Sequence, residues 1–377
     1  MSRRSRSRRR AATPIAAMFG VLLCMGAVYG AQMLNATPTE EAGGSIPLAT
    51  TSSASATSGY QLVFGNPIYP DDESNRPAES IADPVIASIN SATRTVDAAT
   101  YEFNLPAMAD ALIAARNRGI LVRLLTDTDT VLEYGEQLQR VIAAGIPMVE
   151  DGRNAIMHDK FVIADGAIVW TGSWNFTEND TYRNNNSMIG ITSPEMVANY
   201  QAEFDEMFVK RQFGAESTVN TPYPQFTVND IVVENYFSPD DGVADHILSA
   251  INGATQSIAF AACTCTRSDF TEAMLERAQA GVSVEGVYET RQVNSGSDQS
   301  YGVLFPAGLP VLLDGNPYTM HHKFIVVDGQ TVIVGSYNFT KAAEQKNDEN
   351  VLIIHDADIA QLYWNEFKRV WQQAGGQ

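Results

Sequence analysis

Two histidines and two lysines stand at matching positions in this chain, each pair followed by the same small polar cluster. His158 and Lys160 lie two residues apart, then come Asp165 and Gly172-Ser173-x-Asn175; His321, Lys323, Asp328 and Gly335-Ser336-x-Asn338 repeat the pattern. On a strand, residues two apart project to one face, so each set brings an imidazole and an ammonium to one pocket. Such groups suit a phosphate ester. Lysines neutralise non-bridging oxygens, and Asn and Ser donate hydrogen bonds. One histidine can attack phosphorus while the second protonates the leaving oxygen, because imidazole titrates near neutrality. A lone histidine is ordinarily a core or surface residue. Here two stand at equivalent positions with their lysines, which is the pattern of a site. His322 has Asp159 at its counterpart and points to the opposite face, so it is read as non-catalytic.

The matching sets belong to a duplication. At an offset of 163 residues, Ala144–Met188 aligns with Ala307–Val351 without a gap, and 18 of 45 positions are identical. Unrelated sequences of average composition would share roughly three. Ile89-Asn90-Ser91-Ala92-Thr93 likewise matches Ile251-Asn252-Gly253-Ala254-Thr255. The chain therefore reads as two copies of one unit, 61–212 and 230–377, joined by a linker at 213–229. Each copy, roughly 150 residues long, has ample core for a domain.

To place the sets, each copy must alternate helix and strand. Copy 1 predicts a helix over 81–89, a strand over 95–101, a helix over 105–117, a strand over 120–125 and a helix near 132–144. Copy 2 repeats this order, with strands at 257–262 and 282–288. Strands separated by helices indicate an α/β fold with parallel connections. The motif lysines open short apolar runs that end in Asp-Gly, a strand closing at a tight turn. A second strand returns from each turn to present the Gly-Ser-x-Asn cluster. Thr177 and Thr340 are positioned to cap the helices that follow.

The His-x-Lys-x4-Asp motif with its Gly-Ser-x-Asn sequel resembles the signature of the phospholipase D superfamily. The stretch from Met320-His321-His322-Lys323 through Gly335-Ser336-Tyr337-Asn338 to Asn347-Asp348-Glu349-Asn350 is especially similar to its compact bacterial nuclease-like branch. The resemblance covers roughly residues 60–374. It implies two α/β halves related by a pseudo-twofold, one active site at their interface, a covalent phosphohistidine, and neither metal nor cofactor. His158 and His321 then correspond to the nucleophile and general acid, with His158 favoured as nucleophile. Lys160, Lys323, Asn175 and Asn338 bind phosphate, with Ser173 and Ser336 in the same shell. Asp165 and Asp328 are structural, holding the turns. Both motifs sit in one chain, so a monomer suffices. Glu349 falls where the family often carries a carboxylate that orients a histidine, whereas copy 1 has Asn186; which histidine Glu349 serves is open at this point.

The N-terminus bears on location. Residues 1–10 hold six arginines and no acid, and an apolar segment follows to Ala31, the pattern of a signal peptide or signal anchor. Residues 32–60, rich in Thr, Ser, Ala and Gly, read as a flexible linker. The folded part is expected to be exported, with membrane association through this segment. Cys263 and Cys265 are too close in sequence for an unstrained bridge and read as buried free thiols. The chain carries a net charge of −19, or −25 without the leader arginines, and lacks the basic stripe of a nucleic-acid binder. Phospholipid head-group hydrolysis is thus the first expectation and an exported endonuclease the alternative. A non-catalytic phosphate- or lipid-binding module would have lost a histidine or lysine from one set; both are intact.

Overall fold

The computed structural model describes residues 59–133 and 135–376. The segment expected to direct export and the linker up to residue 58 lie outside them. Half 1 runs β1 (Tyr60–Phe64), α1 (Asp83–Ser91), β2 (Thr95–Thr100), α2 (Pro106–Asn117), β3 (Leu121–Thr126), α3 (Thr128–Glu133), α4 (Gly135–Ala143), β4 (Met148–Glu150), β5 (Phe161–Ala164), β6 (Ile168–Gly172), α5 (Glu178–Tyr182), β7 (Ser187–Ile191) and α6 (Pro194–Asp205). Half 2 runs β8 (Gln225–Val228), β9 (Ile231–Ser238), α7 (Val243–Gly253), β10 (Ser257–Ala262), α8 (Ser268–Gln279), β11 (Ser283–Tyr288), α9 (Thr290–Asn294), α10 (Tyr301–Leu304), β12 (Val311–Leu313), β13 (Lys323–Val327), β14 (Thr331–Gly335), α11 (Lys341–Gln345), β15 (Glu349–His355) and α12 (Ala357–Gln373).

The elements predicted for copy 1 appear in the predicted order, with the helix near 132–144 divided into α3 and α4, while β1, β4, β7 and α6 are additional; the sheets show the duplication directly. One sheet has the order β1-β7-β6-β5-β2-β3-β4; the other runs β12-β11-β10-β13-β14-β15-β9-β8. Read from β4 and from β12, the seven strands correspond one to one. The expectation of parallel connections holds only for β2-β3-β4 and β10-β11-β12. The motif strands are antiparallel, because the three-residue connections Asp165–Ala167 and Asp328–Gln330, each closed by a β-turn over its Asp-Gly pair, can join only antiparallel neighbours. In those turns both residues have positive φ, 55° and 58° at Asp165-Gly166 and 53° and 61° at Asp328-Gly329. Asp tolerates that region better than most residues and Gly adopts it freely.

The two sheets share one core. Tyr200 and Phe204 of α6, with Phe161 and Ile163 of β5, join Tyr363 and Phe367 of α12, with Phe324 and Val326 of β13, in a single buried cluster. Tyr200 meets Phe237 of the other half at 5.0 Å between ring centroids. Burial of each such aromatic stabilises by roughly 1.5–3 kcal/mol, so the cluster holds the halves in one arrangement. Outside this layer, α1 and α2 cover the first sheet and α7 and α8 the second, each over its own buried cluster. Ser193 and Asp356 cap α6 and α12 by accepting the N–H groups of Met196 and Ile359.

Residues 213–229 are more than a connection. Phe213, Phe226 and Val228 are buried in the shared core, and Gln225–Val228 is the edge strand β8, paired antiparallel with β9. Alternation of apolar and polar side chains in Gln225-Phe226-Thr227-Val228 is the strand signal that a reading of this stretch as linker passes over. Cys263 and Cys265 are buried free thiols, as expected. Among the described residues no helix is long and apolar enough to cross a membrane.

Candidate active site

The loops that lead into the two motifs cross between the halves. Met157 bridges to Asp348 and Met320 to Asn185, each as a short parallel contact. The His158 N–H donates to the Asp348 carbonyl at 2.9 Å, and the His321 N–H to the Asn185 carbonyl at 3.0 Å. Each histidine is thereby stitched to the backbone of the opposite half, one residue before that half's orienting side chain. Glu349 consequently serves the histidine of the other copy: His158 Nδ1 lies 2.7 Å from Glu349 Oε2. The pseudo-twofold mate is His321 Nδ1, 3.0 Å from Asn186 Oδ1.

Behind these contacts the motif residues are arranged in pairs. The Ser336 hydroxyl donates to Glu349 Oε2 and accepts the Asn350 N–H; the Ser173 hydroxyl donates to Asn186 Oδ1 and accepts the Ser187 N–H. The serines therefore do not offer their protons to a phosphate. They fix the groups that fix the histidines, a correction to the expectation that they bind substrate. Glycine is required just before each serine: a Cβ on Gly172 or Gly335 would sit 2.1 Å from the Ser187 or Asn350 carbonyl oxygen. Lys160 and Lys323 are buried, and their Nζ atoms donate to the carbonyls of His158 and His321 at 2.6 and 2.9 Å. Asn175 and Asn338 each leave a buried Oδ1, an acceptor, with no protein partner among the described residues, while the Asn175 Nδ2 donates to Glu102 Oε2 at 3.4 Å.

The aspartates of the motif stand apart from this chemistry. Asp165 accepts the N–H groups of Thr93, Arg94 and Thr95, and Asp328 those of Thr255, Gln256 and Ser257, at 2.7–3.0 Å. Each ties its turn to the start of the neighbouring strand. His322 is also apart, as read from sequence: it is buried against Glu366, which Arg369 pairs in turn.

Burial governs the protonation of the cluster. It pushes His158 well below the usual histidine range, helped by Lys160 and Lys323. It pulls His321 down to about 4, with Lys323 adding and Asp180 opposing. It raises Glu349 to about 7, against the pull of Lys160, and lowers Lys160 to about 8. In the resting site both imidazoles are neutral, with Nδ1 turned to Glu349 or Asn186 and Nε2 on the opposite edge of each ring. A neutral Nε2 is a nucleophile; the same atom, once protonated, is an acid.

Two residues of the site were not found from sequence. Tyr101, following β2, sets its ring 5.3 Å from that of His158, where copy 2 has Cys263. Asp180 of α5 brings Oδ2 to 3.4 Å from His321 Nδ1, where copy 2 has Ala343. Neither position repeats between the copies, and repetition was the signal that exposed the rest.

Residues 85–208 and 247–371 match the family described as "Cardiolipin synthase, PLD-like domain". The chain belongs to the phospholipase D-like family. Its relatives include a mitochondrial cardiolipin hydrolase of Chlamydomonas reinhardtii, 31% identical over 32% of this chain and 54% of that protein. A phospholipase D of Rickettsia bellii is 33% identical over 35% of this chain and 65% of that one. The chain thus spans between half and two thirds of the length of these relatives. The crystal structure of a phosphatidylserine synthase from Haemophilus influenzae superposes with a TM-score of 0.61 at 14% identity, covering 78% of this chain and 85% of that one. That likeness extends over both halves and identifies the two-half fold of the phospholipase D-like family.

Proposed function

We propose that the protein is a phospholipase D-type phosphodiesterase that releases phospholipid head groups through a phosphohistidine. The observation that carries this reading is the crossed pairing of His158 with Glu349 and of His321 with Asn186, two neutral imidazoles from two halves with buried lysines beside them. His158 Nε2 attacks phosphorus and the bond to the head-group oxygen breaks. His321 in its protonated form, the minority form above about pH 4 and the one Asp180 favours, gives that oxygen its proton. Neutral His321 then takes a proton from water, whose oxygen displaces His158 and leaves phosphatidic acid. His158 is assigned as nucleophile because its imidazole becomes cationic on phosphorylation, and the Glu349 carboxylate stabilises that cation better than an amide does. Lys160, Lys323, Asn175 and Asn338 hold the phosphate oxygens.

Phospholipid is the favoured substrate because the chain is strongly acidic, which disfavours a polyanion at long range, and because its relatives bear the names of lipid hydrolases. The arginine-rich start and the apolar segment after it are read as the export signal that would bring the enzyme to a membrane surface. The test is residues 59–377, wild type and His158→Ala, on phosphatidylcholine or phosphatidylethanolamine vesicles and on single- and double-stranded DNA in EDTA. Head-group release lost in the variant is the expected result. His158-dependent DNA cleavage with inert vesicles would transfer the protein to the endonuclease reading. Binding to vesicles with no turnover of either substrate would mark a non-catalytic module.

A further inference from the structure

The two histidines are held by unlike groups. His158 has a carboxylate, Glu349, whereas the position equivalent to Glu349 in the other copy is the neutral Asn186. Asp180 of α5 fills the deficit from a different place in the sequence. It is 2% exposed, and its Oδ2 lies 3.4 Å from His321 Nδ1 while accepting the Asn175 N–H at 2.8 Å. Asn184 donates to its other oxygen, and the Asp180 backbone carbonyl accepts from the Asn186 side chain at 3.1 Å. The Asp180 backbone N–H is held by the Thr177 cap at 3.1 Å. Its counterpart at the 163-residue offset is Ala343, so copy 2 has no such group there.

We infer that Asp180 is a positioning residue of the reaction, a carboxylate that compensates for Asn186 by holding His321 as the proton donor and the Asn175 turn as the phosphate ligand. The electrostatic reason is local. The charged and titratable groups facing His321 are Lys323 on β13, Lys160 just before β5, His158, and Asp180 on α5. Both lysines disfavour an imidazolium, and Asp180 favours it. Burial would raise the Asp180 carboxyl, but His321 and the donors from Asn184 and Asn175 hold it below the usual carboxylate range, so it is ionised throughout the working pH. Without it, His321 would face two ammonium groups with only an amide dipole to offset them. Because Oδ2 also grips Asn175, the proton donor and the phosphate ligand share one anchor.

The inference rests on the two-histidine reading, and the experiment separates the two. Asp180→Asn, Asp180→Ala and Asp180→Ala/Asn186→Glu are compared with wild type on a soluble phosphodiester with a p-nitrophenyl leaving group and on one with an alkyl leaving group. An alkoxide needs a proton to depart and p-nitrophenolate does not. Asp180→Asn is expected to lower the single-turnover rate of phosphorylation on the alkyl ester about 10- to 100-fold and on the p-nitrophenyl ester less than about threefold, an energetic range ordinary for one orienting group. Asn186→Glu, restoring the carboxylate at the other position, is expected to recover most of the alkyl-ester activity of Asp180→Ala. In parallel, nitrogen shifts of His321 from histidine-labelled protein should show its titration moving to lower pH in Asp180→Asn. Equal loss on both esters, a folded double variant without recovery, or an unmoved His321 titration would each overturn the inference. Should wild type hydrolyse neither ester, the proposed reaction fails, and the His321 titration alone still decides whether Asp180 supports the imidazolium.

Discussion

Replacing Glu349 with Gln isolates what the carboxylate contributes at His158. The substitution keeps the shape and an oxygen for the Nδ1–H, as Asn186 already supplies to His321 at 3.0 Å, so the ring orientation and tautomer can survive. What disappears is one negative charge against the cation that the proposed attack of Nε2 on phosphorus forms on His158. Two unit charges about 4 Å apart, the scale set by the 2.7 Å contact, interact by roughly 4 kcal/mol at an effective dielectric near 20. The amide retains part of this as a neutral hydrogen bond worth about 1 kcal/mol. The net loss is about 3 kcal/mol, and at about 1.4 kcal/mol per decade the phosphorylation step should slow about 100-fold. The assay is a single turnover on a p-nitrophenyl phosphodiester with enzyme in excess, which reads phosphorylation without the need for an acid. Thermal melts of the same preparations check the fold. A rate within threefold of wild type would refute the assignment of His158 as the cation-forming group. A loss as deep as that of His158→Ala would show that the introduced amide leaves the ring wrongly oriented.

Four further outcomes follow from the same geometry. With a p-nitrophenyl substrate, His321→Ala should accumulate a covalent phosphoryl adduct on His158, seen as a mass increment on the peptide carrying it, because departure no longer needs an acid while water attack still needs a base; an adduct on His321 in His158→Ala would reverse the roles. In the free enzyme kcat/KM should stay level between about pH 4, where His321 loses its proton, and about 7, where Glu349 gains its charge, then fall above about 7 and more steeply above about 8, where Lys160 loses its proton; a profile flat to pH 9 would contradict these assignments. Asp165→Asn preserves the turn conformation but removes a charge that accepts three backbone N–H groups. It should cost about 1–2 kcal/mol in urea unfolding, given partial exposure, and leave turnover per folded molecule intact. Burial raises the Asp165 pKa, but the backbone donors outweigh it and hold the value to about 2, so this contribution is present above about pH 4 and lost as pH falls through 2. Gly335→Ala drives a Cβ to 2.1 Å from the Asn350 carbonyl and should lower the melting temperature and displace Ser336 and Glu349 together, reducing kcat about as much as Glu349→Gln; unchanged stability would refute the close-approach argument.

What was legible in the sequence was whatever the duplication wrote twice. His158 with His321, the lysines, the Asp-Gly turns and the Gly-Ser-x-Asn clusters were all visible because a 163-residue shift superposes them, and the strand period of two placed each imidazole beside its ammonium. The crossing of the halves was not legible. That Glu349 serves His158 depends on Met157 pairing with Asp348 across the interface, a contact between segments 191 residues apart, and no periodicity encodes it. The serines were misassigned for a related reason, since their hydroxyls are claimed by neighbours 13 residues on, in the strand that the preceding glycine allows to approach.

The asymmetric residues show where function can hide from a repeat. Tyr101 against Cys263, Asp180 against Ala343 and Asn186 against Glu349 all lie at the site, and all differ between the copies. A symmetric pair of halves would give two equivalent histidines, each as ready to attack as to donate a proton. The reaction proposed above needs one of each. The residues that break the symmetry are therefore the ones that assign the roles, and exchanging Asn186 and Glu349 in a double variant should carry the nucleophile from His158 to His321. Mass mapping of the adduct on a p-nitrophenyl substrate reads the exchange directly. An adduct that stays on His158 would mean that the orienting groups do not choose the nucleophile, and that Tyr101, whose ring meets that of His158, is the next residue to change.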